Sequence, residues 1–366
     1  MSISWEQLVE QLEAEDHLRR DEIVTPDQIT AHAVGKDVGI LIEGVESSEF
    51  YRMTDKALDH IGRPNYRGPG SAVLKKLTGE EADAEDATLA AGLVNNTLRH
   101  LRLADPDRHL RLRLREGEDR TVRAVLSERY APVSHLAVVE AVRVASPGNR
   151  LLEWYTDDDF DNFSLTMDLK GIGFDDAGSG YDGHIRAGNS LVADSTFWSA
   201  AELLRKVCTN GLIINVGEQR QGRRHVGSIC DADVLAFFAE SIPDQIGGLS
   251  GAFADLGDLA SRAIPQQLHP GQWALALSRM EAEVTKALVP RIVEAWQAEP
   301  EFSAAGIINS LTRAAQVFQG RERFALESFA GTLCSTWARY HRSDFDHLLQ
   351  RAEKIEDVEF SKVLAV

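Results

Sequence analysis

Arg111-Leu112-Arg113-Leu114-Arg115, followed by Thr121-Val122-Arg123-Ala124-Val125-Leu126, is the stretch on which the fold turns. Strict alternation is the pattern of a β-strand with two unlike faces. One face is leucine and belongs to a core; the other is arginine. Gly117-Glu118-Asp119 between the runs is a turn signal, so residues 109–127 read as an antiparallel hairpin with Leu110, Leu112 and Leu114 buried. Alternation alone places Arg111, Arg113 and Arg115 on one face, and Arg123 joins them only if the hairpin register allows it. A row of guanidinium groups could grip phosphates bidentately. The opposing reading pairs these arginines with Asp and Glu on covering elements.

That opposition matters because the chain carries a formal net charge of −18. Its 366 residues suffice for two domains with real cores, and a hydrophobic share of 43% fits a globular protein. Basic charge is mostly arginine, 30 residues of 39, against 57 acids, so bulk electrostatics repels polyanions and any anion site must be local. No apolar run approaches the roughly 18 residues of a membrane helix. The N-terminus shows no secretory signal, so cytoplasmic residence is the expectation, with no membrane association. Cys208, Cys230 and Cys334 are sparse and odd in number, which suits reduced thiols.

Working outward from the hairpin, the pattern divides into a lead-in at 1–50, an α+β core at 51–230 and a helical region at 231–366. Ser4 caps an amphipathic helix within 2–20, and Val38 to Ile42 is strand-like. Thr54 caps a short helix through Ile61, 62–70 is a loop, and Ser71 to Leu77 and Ala82 to Leu101 are helical. Ser134 caps a helix over Leu136 to Val144. Leu151 to Trp154, Phe163 to Leu169 and His184 to Ala187 read as strands, with a glycine-rich turn at 171–180. Phe197 to Cys208 reads as a helix closed by the Asn210-Gly211 turn, followed by strands at Leu212 to Val216 and His225 to Ile229 around a turn at Gln219 to Arg224. Helices are expected near Asp231, Gly271, Ser303 and Phe324. Their apolar stripes, Trp273 to Leu288 and Phe329 to Tyr340, are core. The fold class is therefore α+β: an antiparallel sheet with helices packed on it, followed by an all-helical C-terminal region.

Candidate chemistry is thin. Arg220, Arg223, Arg224 and His225 form a second basic cluster at a hairpin tip, and Arg129 with Tyr130 follows the first hairpin. Asp157, Asp159, Asp161 and Asp168 match an EF-hand loop in spacing. The sixth position is Asn162, the closing acid is not Glu, and the flanks are strands, so a solvated turn is expected and no metal. Cys208, beside a helix C-terminus, reads as a buried, unactivated thiol. No zinc spacing, P-loop, nucleophile elbow or dinucleotide loop is present, and no cofactor is expected.

Four segments resemble a known family. Arg123 to Val133, containing Ser127-Glu128-Arg129-Tyr130, resembles the "SdRY" element of the phage/plasmid-like proteins catalogued as domain of unknown function 932. Gly188-Asn189-Ser190, the Cys208-Thr209-Asn210-Gly211 segment and Arg224-His225-Val226-Gly227 resemble its later elements, in family order, over about 50–340. The chain departs from the family pattern at Leu191 to Asp194. The resemblance implies a mobile-element or genome-maintenance setting and no particular reaction. It gives Asn189, Ser190, Cys208, Asn210, Gly211 and His225 a motif role.

Three functions stay open on these residues. The first is a non-enzymatic protein that binds or anneals single-stranded nucleic acid through Arg111, Arg113, Arg115, Arg123, Arg129, Tyr130, Arg220, Arg223 and Arg224. The second is an enzyme with its site between the Cys208–Gly211 turn and the Asn189-Ser190 loop. The third is an assembly or partner-binding protein, with a homo-oligomer as one form.

Overall fold

The architecture comes from a computed structural model, which describes residues 4–330 apart from 44–48, 158, 177–178, 206–211, 216–220, 264–288, 299–303, 319–322, 324–325 and 328. Among the described residues the chain is α+β, with two six-stranded sheets rather than one. The hairpin forms as its alternation requires. Strands β5 (Leu110–Arg115) and β6 (Thr121–Ser127) pair antiparallel, and Leu110, Leu112 and Leu114 are at most 1% exposed.

The first sheet adds β1 (Arg19–Val24), β2 (Ile29–Val34), β3 (Asp37–Ile42) and β4 (Glu49–Met53), in the order β1-β5-β6-β4-β3-β2. The sheet is mixed, because β4 runs parallel to β6. That parallel pair needs a long crossover. The helices α2 (Asp55–Gly62), α3 (Ser71–Leu77) and α4 (Ala84–Ala104), together with β5, lie between β4 and β6 in the chain and supply it. These helices bury the leucine face. Residues 19–42 thus belong to the same sheet as the hairpin and are no lead-in; the boundary expected after residue 50 falls inside β4.

A β-bulge decides what the other face carries. Arg113 pairs with Ala124 and Leu114 with Val122, which leaves Arg123 as the extra residue. Normal alternation would put Arg123 and Ala124 on opposite faces. The bulge turns both outward, while Val122 and Val125 stay in the leucine core. Arg123 therefore joins the face of Arg111, Arg113 and Arg115.

The second sheet is built from β7 (Arg150–Thr156), β8 (Asn162–Asp176), β9 (Ser179–Ser190), β10 (Phe197–Arg205), β11 (Leu212–Asn215) and the short β12 (Gln221–Arg223). Its apolar face, with Leu165, Met167, Ile185 and Ala187, packs against α1 (Trp5–Asp16), α5 (His135–Ala145), α6 (Asp231–Ala263), α7 (Val289–Ala298) and α8 (Ala304–Ala315). Ser4 and Ser134 cap α1 and α5 by accepting from the Gln7 and Ala137 amides.

Four expected elements differ. Phe197–Arg205 is a strand, not a helix. It lies centrally, between β9 on one side and β11 and β12 on the other, and Phe197, Trp198, Ala200 and Ala201 are all buried. A strand covered on both faces loses the alternation that betrays a strand. The glycine-rich 171–180 continues the β8–β9 hairpin, with Gly173 opposite Asp182 and Asp176 opposite Ser179. Conversely, 225–229 forms no strand, only a single bridge between Val226 and Tyr130, whereas Gln221–Arg223, expected as turn, is strand β12. The expected helix at Gly271 with its stripe, and the stripe beyond residue 330, lie outside the described residues, so α6, α7 and α8 are helical but an all-helical C-terminal region is not confirmed. No helix among the described residues is long and apolar enough to cross a membrane.

Gly188 on β9 lets Trp198 lie against the strand: a Cβ there would sit 2.7 Å from the indole and 2.8 Å from the Phe163 carbonyl. Gly188→Ala should lower the unfolding free energy by about 1–3 kcal/mol through overpacking. Gly92→Ala on α4, where nothing lies within 4 Å, should raise it by about 0.4–1 kcal/mol. Urea titration of the two variants measures the contrast.

Candidate functional site

The arginine face is covered. Asp21 on β1 stands opposite Arg113 and accepts from Arg111 at 3.0 Å and from Arg113 at 3.1 Å. Arg113 also donates to the Leu191 carbonyl at 3.0 Å, and Arg115 reaches Glu15 of α1 at 3.2 Å. Arg123, with its side chain 8% exposed, lies between Asp159 at 2.7 Å and Asp161, which it contacts through two nitrogens. Burial pulls the Arg123 pKa down, but the hydrogen bonds and charges of Asp159 and Asp161 outweigh it and hold the guanidinium protonated.

This layer explains the acidic run. Asp157 organises the β7–β8 turn by accepting from the Asp161 amide at 2.6 Å and the Asn162 amide at 3.1 Å. Asp159 and Asp161 then present their carboxylates to Arg123, while Asp168 pairs with Arg150. Phe160 between them adopts φ 54° and turns its carbonyl inward. There it accepts from Arg19 at 2.7 Å and from His135 Nε2 at 2.9 Å. Among the described residues no cluster of His, Cys, Asp or Glu is arranged to hold a metal ion.

Three of the sequence motifs meet behind this layer. The Tyr130 hydroxyl donates to the Ser190 carbonyl at 3.0 Å, and its ring stacks on His225 at 5.1 Å and 12°. His225 Nδ1 donates to the Ala131 carbonyl at 3.2 Å, and Phe197 meets the imidazole edge-on. Asn189 donates to the Val133 carbonyl at 2.8 Å and to His135 Nδ1 at 3.1 Å. With Nε2–H donating to Phe160, His135 is the neutral tautomer; a proton on Nδ1 would confront the Asn189 amide hydrogens. Ser190 Oγ accepts from the Asp194 amide at 3.0 Å. All of these side chains are buried. Asn189 and Ser190 therefore organise backbone in the interior, and Tyr130 and Tyr66 offer no open ring for a base to stack on.

The remaining expected site residues are scattered. Arg129 and Arg224 are exposed, and Arg223 is half-exposed, 3.5 Å from Asp233. Arg220, Cys208, Asn210 and Gly211 lie outside the described residues. Because the segment before Cys208 is strand, the helix-terminus argument for its thiol no longer applies. Sequence reasoning missed His135 altogether, since a histidine at the first position of a capped helix carries no signal. It also missed Asp159 and Asp161 as the partners of Arg123, although the excess of acids pointed to such pairing.

Next to the arginine layer, the sheet and the β7–β8 turn leave a polar cleft of about 530 Å³. Its lining is acidic on balance, and two of its ion pairs are Lys56 with Asp194 and Arg52 3.9 Å from Asp37. Compared with family models, with curated proteins and with solved structures, the chain gives no match in any of the three.

Arg123→Ala leaves Asp161 buried without its cation and should cost about 3–5 kcal/mol. The Arg123→Ala/Asp161→Ala double variant should be less destabilised than the sum of the singles, and a double-mutant cycle in urea measures the coupling.

Burial pushes His60 down to about 3 and His225 down to about 4, and holds His135 well below its ordinary value. Between pH 6.5 and about 4 the unfolded chain binds protons at these positions and the native state does not. Stability should thus fall as pH drops through that window, by up to about 1.4 kcal/mol per pH unit for each histidine. Asp16 and Glu327, raised by burial, work in the opposite sense. Urea titrations between pH 6.5 and 5 should show the histidine slope reduced in His60→Leu.

Proposed function

We propose that the protein is a phage/plasmid-like, non-enzymatic factor that binds the phosphate backbone of nucleic acid at the surface where the segments carrying Arg129 and Arg224 run side by side. The observation that carries this reading is the pairing of two segments that each hold an uncompensated arginine. The Tyr130–Val226 bridge, the Gly227 amide donating to the Arg129 carbonyl at 3.0 Å and the Ala131 amide donating to the His225 carbonyl at 3.1 Å bring the segments side by side. Both arginines are exposed, and among the described residues neither has an ion pair or side-chain hydrogen bond. The arginines of β5 are internally neutralised, so they leave the polyanion role to this surface.

Such a site grips phosphate and reads no base. With Tyr130 and Tyr66 buried, single strands gain no stacking advantage over duplex. The acidic bulk of the chain keeps the affinity low at physiological salt. The four resembling segments support the mobile-element setting.

The test is a fluorescence titration with labelled single- and double-stranded oligonucleotides at two salt concentrations. Wild type should bind both, more weakly as salt rises. Arg129→Ala/Arg224→Ala should bind less and lower the log–log salt slope by about 2, since each arginine neutralises one phosphate. Arg99→Ala, an exposed change on α4, should bind like wild type. Absence of binding by the wild type at low salt removes the proposal.

A further inference from the structure

The second sheet has a polar face as well as an apolar one. Glu153 on β7, Thr166 on β8 and Arg186 on β9 form one rung across three strands, since Glu153 pairs with Thr166 and Thr166 with Arg186. Side chains on that rung point away from Leu165, Met167 and Ile185, which face the core. Arg323 and Glu327, one helical turn apart, close over the rung and are joined at 2.9 Å. They enclose a cavity of about 220 Å³, with Ser164 also on its wall. Two of its charged groups are deeply buried: Arg186 is 6% exposed and Glu327 is 3% exposed.

The charges alternate around the cavity. Arg186 stands 3.9 Å from Glu153, and Glu153 stands 4.0 Å from Arg323. Both distances exceed hydrogen-bond length, so attraction holds Glu153 there without a direct bond from either guanidinium. Among the described residues its one hydrogen bond comes from the Thr166 hydroxyl at 3.4 Å, which leaves most of its acceptor sites for a ligand. Arg323 meets Glu327 through Nε, and its Nη1 faces Glu153. The four charges sum to zero, so a zwitterion leaves the net charge of the cavity unchanged whereas a ligand with a single charge does not.

From this geometry we infer that the cavity is a binding site for a small zwitterion of the α-amino-acid type. Its ammonium group sits on the Glu153 carboxylate. Its carboxylate takes Nη1 of Arg323 and the hydroxyl of Ser164, while the Thr166 hydroxyl stays on Glu153. The volume lies below the about 300–1,000 Å³ of sites for drug-sized ligands, so nucleotides and larger cofactors do not fit.

The experiment is a thermal-shift series with isothermal titration of the full chain, using glycine, L-alanine and L-serine as probes. Sodium acetate and methylammonium chloride at matched ionic strength are the single-charge controls. At least one amino acid should raise the melting temperature by about 2 °C or more, and the controls should not. Glu153→Gln should weaken that amino acid about tenfold or more, because a charge-assisted bond is removed. Arg150→Gln on the exposed start of β7 should leave affinity unchanged. Ser164→Ala, with affinity reduced about threefold, serves if Glu153→Gln does not fold. A wild type that responds to no amino acid, a response equalled by acetate or methylammonium alone, or an affinity indifferent to both variants overturns the assignment.

Discussion

A guanidinium layer buried between two sheets must be neutralised where it stands, because an unpaired charge away from water costs several kcal/mol. Arg123 between Asp159 and Asp161 is the centre of that requirement here. The first sheet supplies cations from β5 and the β6 bulge. The second supplies the acids of the β7–β8 turn and the Leu191 carbonyl, and Glu15 comes from α1, which packs with the second sheet. Two units with separate apolar cores are thereby fixed in one relative position. Hydrophobic burial stabilises each sheet against its helices, and the ion pairs set the register between them.

The histidines show the same constraint in another form. Burial holds His135 and His225 neutral, and nearby positive charge further discourages protonation: Arg19 and Arg113 for His135, Arg113 for His225. His135 links Asn189 on one side to the Phe160 carbonyl on the other, which joins the motif cluster to the acidic turn. Residues that look in sequence like candidates for catalysis thus work as interior connectors.

Much of the fold was legible. Ser4, Thr54 and Ser134 announced helix starts by their capping chemistry, and the leucine alternation of β5 announced its buried face. What was not legible has specific causes. Phe197–Arg205 carries buried apolar residues on both faces, so no clear period separates strand from helix. The parallel pairing of β4 with β6 joins Arg52 to Thr121, far apart in sequence, with nothing local to mark it. The candidate site was half legible: the arginines and the motif residues could be named, but their partners could not.

By itself the sequence determined that Arg111, Arg113 and Arg115 share one face and that Leu110, Leu112 and Leu114 share the other, because side chains alternate along any strand. It determined too that the chain holds enough acid to neutralise those arginines. Only the tertiary structure decided that the neutralisation happens inside the fold. The bulge that brings Arg123 to that face and the turn that brings Asp159 and Asp161 to Arg123 are properties of strand register and sheet packing. Both depend on contacts between segments distant in the chain, which local pattern does not encode.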